Sequence, residues 1–112
     1  TCQAYGGKGE DEITPGYAAL INTPEMVDLL VETASSLVGP EHLHAKEFPS
    51  LGGEDFSFFL EKAPGVFWHL GCACREKGIT APLHSAQFDI DESCLELGVN
   101  IQTHLALRLL AL

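Results

Sequence analysis

The run Val66-Phe67-Trp68-His69-Leu70-Gly71-Cys72 limits the possible folds of this chain more than any other stretch. It is nearly all apolar and aromatic, the composition expected of a β-strand covered on both faces. Pro64-Gly65 closes whatever precedes it.

The best-supported helix begins at Thr23-Pro24-Glu25. Thr23 suits the N-cap, Pro24 the first helical position, and Glu25 the positive end of the helix dipole. Val27, Leu30, Val31, Ala34 and Val38 recur at helical spacing along one face, and Gly39-Pro40 supplies a stop. A second helix is expected over Glu54 to Ala63, with Phe56, Phe59, Leu60 and Ala63 on one stripe. A long C-terminal helix carries Cys94, Leu97, Gly98, Ile101, Leu105 and Leu109 on its core face. Asp89, Asp91 and Glu92 are its N-cap choices. Gly98 on that stripe implies close approach to a neighbour. Shorter strands are expected at Glu12–Thr14 and, less strongly patterned, at Leu43–Phe48. Helix, strand, helix, strand, helix is an α/β pattern.

At 112 residues and 46% hydrophobic, the chain has material for one modest core and not for two ordinary domains. Its first part is polar, Gly-rich and acidic, and a boundary is expected near Tyr17–Asn22. No apolar run approaches the roughly 20 residues that span a bilayer. No basic segment precedes an apolar one at Thr1, so no signal peptide is read there. Thr1 is not a Met, and residues upstream are to be expected. Sixteen acidic residues against six basic give a formal charge of −10. Such a chain repels phosphate backbones, and no Lys/Arg cluster reverses the sign locally, which sets nucleic acid aside as a partner. Membrane association has no support either. Cys2, Cys72, Cys74 and Cys94 lack the spacing of a secreted disulfide scaffold, so reduced thiols and a cytoplasmic location are expected. Cys72-Ala73-Cys74 is half of a metal signature without its second half.

The remaining chemistry lies in histidines and one glycine turn. His84, in Leu83-His84-Ser85, stands after the apolar run and before a helix start, where α/β folds place active-site loops. It has no ligand-spaced partner nearby. His42-x-His44 could chelate from one face of a strand, but Glu41 and Lys46 suggest a solvated edge. His69 reads as a satisfied core residue and His104 as a surface residue. Gly52-Gly53-Glu54-Asp55 opens a helix. Its backbone N–H groups could hold an anion, or the glycines could simply permit a tight turn. No Ser/His/Asp triad, P-loop or dinucleotide fingerprint is present.

In order and spacing, several of these pieces resemble one family. Asn22-Thr23-Pro24-Glu25, Gly52-Gly53-Glu54-Asp55-Phe56-Ser57-Phe58-Phe59-Leu60, Pro64-Gly65, Leu70-Gly71, Leu83-His84-Ser85 and Phe88-Asp89 are similar to the C-terminal part of M20-type metallo-amidohydrolases. The aminoacylase, hippurate hydrolase and auxin-conjugate hydrolase branch is the nearest. The resemblance implies an α/β catalytic domain with an inserted lid, residues 1–16 ending the lid and 17–112 belonging to the catalytic domain. It implies a homodimer at full length and two divalent metal ions (Zn, Mn, Co or Ni). The substrate it implies is a small N-acyl amino acid, cleaved by a metal-activated water. His84 matches the last metal ligand. Gly52, Gly53 and Glu54 match a turn near the substrate pocket.

The family's Cys-x-His pair, adjacent Glu pair and middle His have no counterpart here, and Ala86 stands where relatives often have Pro. No catalytic residue is therefore expected within this stretch, and the chain alone is expected to be inactive. The competing expectation is a stand-alone, acidic, non-catalytic α/β module that binds a partner through its apolar faces. A dipeptidase of the same superfamily is a third.

Overall fold

A computed structural model describes residues 2–111. They form three α-helices: α1 (Pro24–Val38), α2 (Ser57–Leu60) and α3 (Ser93–Leu110), with 3-10 turns at Cys2–Tyr5 and Pro40–His42. The first of these turns stops at Gly6, whose positive φ of 71° suits a residue without a side chain.

α1 lies where its pattern predicts. Thr23 occupies the N-cap position, and its carbonyl accepts from the N–H groups of Met26 and Val27. Its hydroxyl does not cap the helix, however. It accepts instead from the N–H of Gly65 at 3.1 Å, so the residue expected to start the helix also ties it to a distant segment. At the other end Gly39, at φ 86°, donates to the Ser35 carbonyl, and Pro40 cannot continue the helix.

The core is the contact between α1 and α3. Leu30 and Ala34 of α1 and Ile101 of α3 are buried, with Leu43, Val66, Trp68, Leu97 and Leu105 packed around them. Cys94 and Gly98 are buried on the same face of α3. Both predicted stripes hold in their centres and fail at the edges, since Val31 and Leu109 are exposed. A polar tie reinforces the pair. Thr33, fully buried, donates to the Leu29 carbonyl and accepts from Arg108 Nη1 at 3.0 Å. Arg108 Nη2 reaches Glu32 at 2.8 Å.

The apolar run crosses this helix pair. A Cβ on Gly98 would lie 2.9 Å from Leu70 Cδ2, which identifies the neighbour whose approach Gly98 permits. The side-chain amide of Asn22 brackets the Phe67 peptide. Asn22 Nδ2 donates to the Phe67 carbonyl at 2.9 Å, and Phe67 N–H donates to Asn22 Oδ1 at 2.8 Å. With the Thr23 N–H donating to the Gly65 carbonyl at 3.0 Å, Asn22 and Thr23 supply a short stretch of strand-like pairing, three of its four bonds through side chains.

That pairing stands in for a sheet that the described residues do not form. Glu12–Thr14, Leu43–Phe48 and Val66–Cys72, all predicted strands, are not strands; one isolated antiparallel bridge, Cys74 with Ile79, is the β-structure among the described residues. The physical reason is the strand's dependence on partners. A helix satisfies its backbone groups internally, whereas a strand needs another strand alongside. The second expected helix is cut to the single turn α2, with Phe59 exposed on it. A short helix without a packed face does not repay the cost of its nucleus. The radius of gyration, 19.6 Å, exceeds the roughly 13 Å expected of a compact domain of this length. Ile13, Ile21, Phe48 and Leu51 are among the large apolar side chains left in solvent.

Candidate functional site

His84 sits on a doubly turned loop. The Ser85 N–H bonds to the Pro82 carbonyl at 3.2 Å, closing a turn with His84 as its third residue. His84 has a φ of 66°, in the left-handed region that type II turns adopt at their third residue, and is the one non-glycine residue described there. Histidine tolerates it better than most residues, but the conformation still costs about 1–2 kcal/mol. The Phe88 N–H then bonds to the Ser85 carbonyl at 3.1 Å, and Ser85 Oγ accepts from the Gln87 N–H at 3.1 Å. Two consecutive turns therefore hold His84 at an exposed point.

The loop bearing these turns is tied at its base. The Asp91 N–H donates to the Cys72 carbonyl at 2.8 Å, so the chain leaves and returns at one place. Asp91 Oδ1 accepts from Lys77 Nζ at 2.8 Å and from the Ser93 N–H at 3.1 Å, and the Cys94 N–H donates to the Asp91 carbonyl at 3.0 Å. Of the three acidic cap choices in the sequence, Asp91 is the one whose carboxylate bonds into the first turn of α3. The Lys77 ammonium holds its carboxyl well below the usual carboxylate range, with the Ser93 N–H adding to the effect. The same contact raises Lys77 above its ordinary 10.5. Lys77 carries no motif and sequence reasoning passed over it, and Asn22, although part of the motif Asn22-Thr23-Pro24-Glu25, was given no bonding role there. The signal for Asn22 was its place beside Thr23, two side chains with hydrogen-bonding capacity just outside a helix.

The glycine turn is built differently from its sequence reading. Neither Gly52 nor Gly53 has a positive φ, so backbone freedom is not their use. A Cβ on Gly53 would fall 2.6 Å from Tyr17 Cδ2; the glycine makes room for the Tyr17 ring, which also packs on Phe58. Glu54 Oε1 accepts from the Phe56 N–H, and the N–H groups of Ser57 and Phe58 go to the carbonyls of Glu54 and Asp55. Local acceptors therefore take the donors that an anion would need. Just beyond, Ser57 is buried and its Oγ has no hydrogen-bond partner.

The other histidines stand apart. His42 lies in a 3-10 turn, 3.7 Å from Glu41, and His44 follows outside any strand, so the pair shares no strand face. His69, expected in the core, is exposed and packs edge-on against Phe67. His104 is exposed, its Nδ1 2.8 Å from the Asn100 carbonyl. All four cysteines are free thiols, Cys94 buried and Cys72 and Cys74 half-buried. Among the described residues, no three His, Cys, Asp or Glu side chains are grouped to hold a metal ion. A metal centre needs three or four protein donors, and His84 alone does not make one.

Against this geometry the comparisons decide the ancestry. The family model described as Peptidase family M20/M25/M40 matches residues 9–108. The chain belongs to that family. Thermostable carboxypeptidase 2 of Saccharolobus solfataricus is 36% identical over 108 residues, covering 96% of this chain and 26% of that protein. The N-acetyldiaminopimelate deacetylase of Pediococcus pentosaceus is 34% identical over 101 residues, covering 89% of this chain and 24% of that one. The M20 chain thus spans about a quarter of the length of the curated relatives it matches. No solved structure matches it. Family membership supports an α/β peptidase fold and hydrolase chemistry, while the order of strands stays outside what the described residues display. No helix among them is long and apolar enough to cross a membrane.

Proposed function

We propose that this chain is the C-terminal part of a metal-dependent amidohydrolase that cleaves N-acyl amino acids, with His84 as one ligand of a two-metal centre. Residues 1–16 would end an inserted lid domain and residues 17–112 would return to the catalytic domain of a cytoplasmic homodimer. The observation that carries the reading is the His84 turn. Within a chain of M20 ancestry, an exposed imidazole is held in a costly backbone conformation by two consecutive turns. Strain of that kind persists where its surroundings impose it, and it is concentrated at functional sites.

The residues described supply a single donor, and the reading places the other donors outside them. Bound divalent ions of this class lower the pKa of a water and polarise a carbonyl. This chain's own part is to present His84 and, through Gly52, Gly53 and Glu54, to border the substrate. The unpaired Ser57 hydroxyl beside that turn favours a missing neighbour there, because a buried polar group without a partner costs about 1–3 kcal/mol.

Hydrolysis by the protein extended to the length of its relatives tests the reading. An N-acetyl or N-benzoyl amino acid should be cleaved, and chelation should abolish turnover. Cleavage of free dipeptides alone would move the assignment to a peptidase, the variant that the carboxypeptidase relative favours. The apolar residues left in solvent favour a second reading, a non-catalytic module that associates through them. Inactivity of the extended protein on both substrates, with tight self-association of this chain, would put that reading first.

A further inference from the structure

We infer that Asp91, acting with Lys77, is a positioning residue for the His84 turn. Four bonds meet at Asp91: its N–H to the Cys72 carbonyl, its carboxylate to Lys77 and Ser93, and its carbonyl to Cys94. They join three elements, the end of the apolar run, the tip of the loop and the first turn of α3. The loop between Cys72 and Asp91 is further divided. Cys74 and Ile79 exchange two backbone hydrogen bonds, 2.8 and 2.9 Å, around the turn Arg75–Gly78 that carries Lys77. Lys77 binding to Asp91 folds that hairpin down onto the base of the loop. The span free to move around His84 shrinks to residues 80–90. A shorter closed span has fewer conformations to visit. Because the φ of His84 is intrinsically unfavourable, a loop released at its base would spend more time with His84 in the ordinary backbone regions.

A competing explanation is that Asp91 merely caps α3. Lys77 separates the two. Removing the Lys77 ammonium leaves the Asp91–Ser93 cap intact and cuts only the tie to the hairpin. The ammonium sits on a solvent-exposed side chain, so its loss leaves the contact of α1 with α3 in place.

The functional meaning of this inference rests on His84 being a metal donor, but its test contains no metal. In the labelled 112-residue chain at neutral pH, NMR reads the Cα shift and the intraresidue N–H to Hα contact of His84. It also reads the exchange rate of the Ser85 amide. Lys77→Met is expected to speed Ser85 exchange roughly two- to fivefold, the range an exposed ion pair commands, and to shift His84 toward ordinary backbone values. Asp91→Ala should do more, Lys77→Arg should restore the wild-type signals, and Leu30 and Ala34 should not change in any of them. Unchanged His84 and Ser85 signals in both Lys77→Met and Asp91→Ala would overturn the inference. Equal disturbance by Lys77→Arg and Lys77→Met would do the same. Failure here leaves the ligand assignment standing, and failure of that assignment shows separately as unchanged metal content on loss of His84.

Discussion

Two regions of this chain are comparably apolar and behave in opposite ways. α1 and α3 form and pack on each other, while Val66–Cys72, the most hydrophobic of the strand candidates, acquires no regular structure. The difference lies in where backbone hydrogen bonds can go. A helix closes its own ladder and needs a neighbour only for its apolar face, which Leu30, Ala34 and Ile101 provide for one another. The apolar run needs a strand beside it, and it receives the Asn22 side chain at Phe67, the Thr23 hydroxyl and N–H at Gly65, and one backbone bond at Cys72.

The comparison breaks most readily at its packed end. Ile101→Ala removes the most buried apolar side chain and should cost about 2–4 kcal/mol, toward the lower part of the range for core truncations because the core is small. Loss of helical circular dichroism at a lower denaturant midpoint would report it. A change below half a kcal/mol would mean that the contact of α1 with α3 does not hold the fold.

Asn22 sharpens the other side. Asn22→Ala deletes both bonds to the Phe67 peptide and should cost about 1–3 kcal/mol. Asn22→Asp keeps the acceptor and loses the donor, so denaturation should place it between wild type and the alanine variant. If aspartate equals asparagine, the bond to the Phe67 carbonyl contributes nothing.

A smaller effect concerns pH. Asp91 has its pKa lowered on folding, so its contribution is present above the ordinary 3.8 and is lost as pH falls through the depressed folded value. Lys77 is raised, so its contribution is present below 10.5 and is lost as pH climbs past the folded value. The stability difference between wild type and Asp91→Asn should therefore be flat from about pH 5 to 9 and shrink outside that window. Titration of both by chemical denaturation checks it, and a difference that varies steadily across the neutral range would contradict the assignment.

What was legible in the sequence follows from the same contrast. Periodicity placed α1 and α3, and the caps of α1 were placed by Pro24 and Gly39, because these signals describe bonds that each helix makes with itself. Gly98 was legible as a point of close approach, though not its neighbour Leu70. The strands were misjudged because an apolar run announces burial without naming its partners. Thr23 was assigned the right place and the wrong bond, since a cap hydroxyl serves whichever N–H reaches it first, here Gly65. His84 was singled out by its setting between the apolar run and α3 and by resemblance. Its left-handed backbone has no sequence signature apart from the modest preference of histidine for that region. The Lys77–Asp91 tie joins residues 14 apart across a turn, which no local pattern encodes.

The smallest expected effect has the opposite sign. His84→Gly relieves the left-handed backbone and should stabilise the chain by up to about 1 kcal/mol, as substitutions that suit a positive φ do. A destabilisation would mean that the imidazole itself makes contacts that hold the loop.

That variant leads to the measurement that bears most directly on the proposed role of the chain. The metal content of the protein extended to the length of its relatives should be determined by elemental analysis for wild type, His84→Gly and His84→Ala, with His104→Ala as a control for an exposed imidazole. Loss of about one of two divalent ions per subunit in both His84 variants, with His104→Ala unchanged, is the expected result. Full metal occupancy without His84 would contradict the account, leaving the strained turn without the role proposed for it.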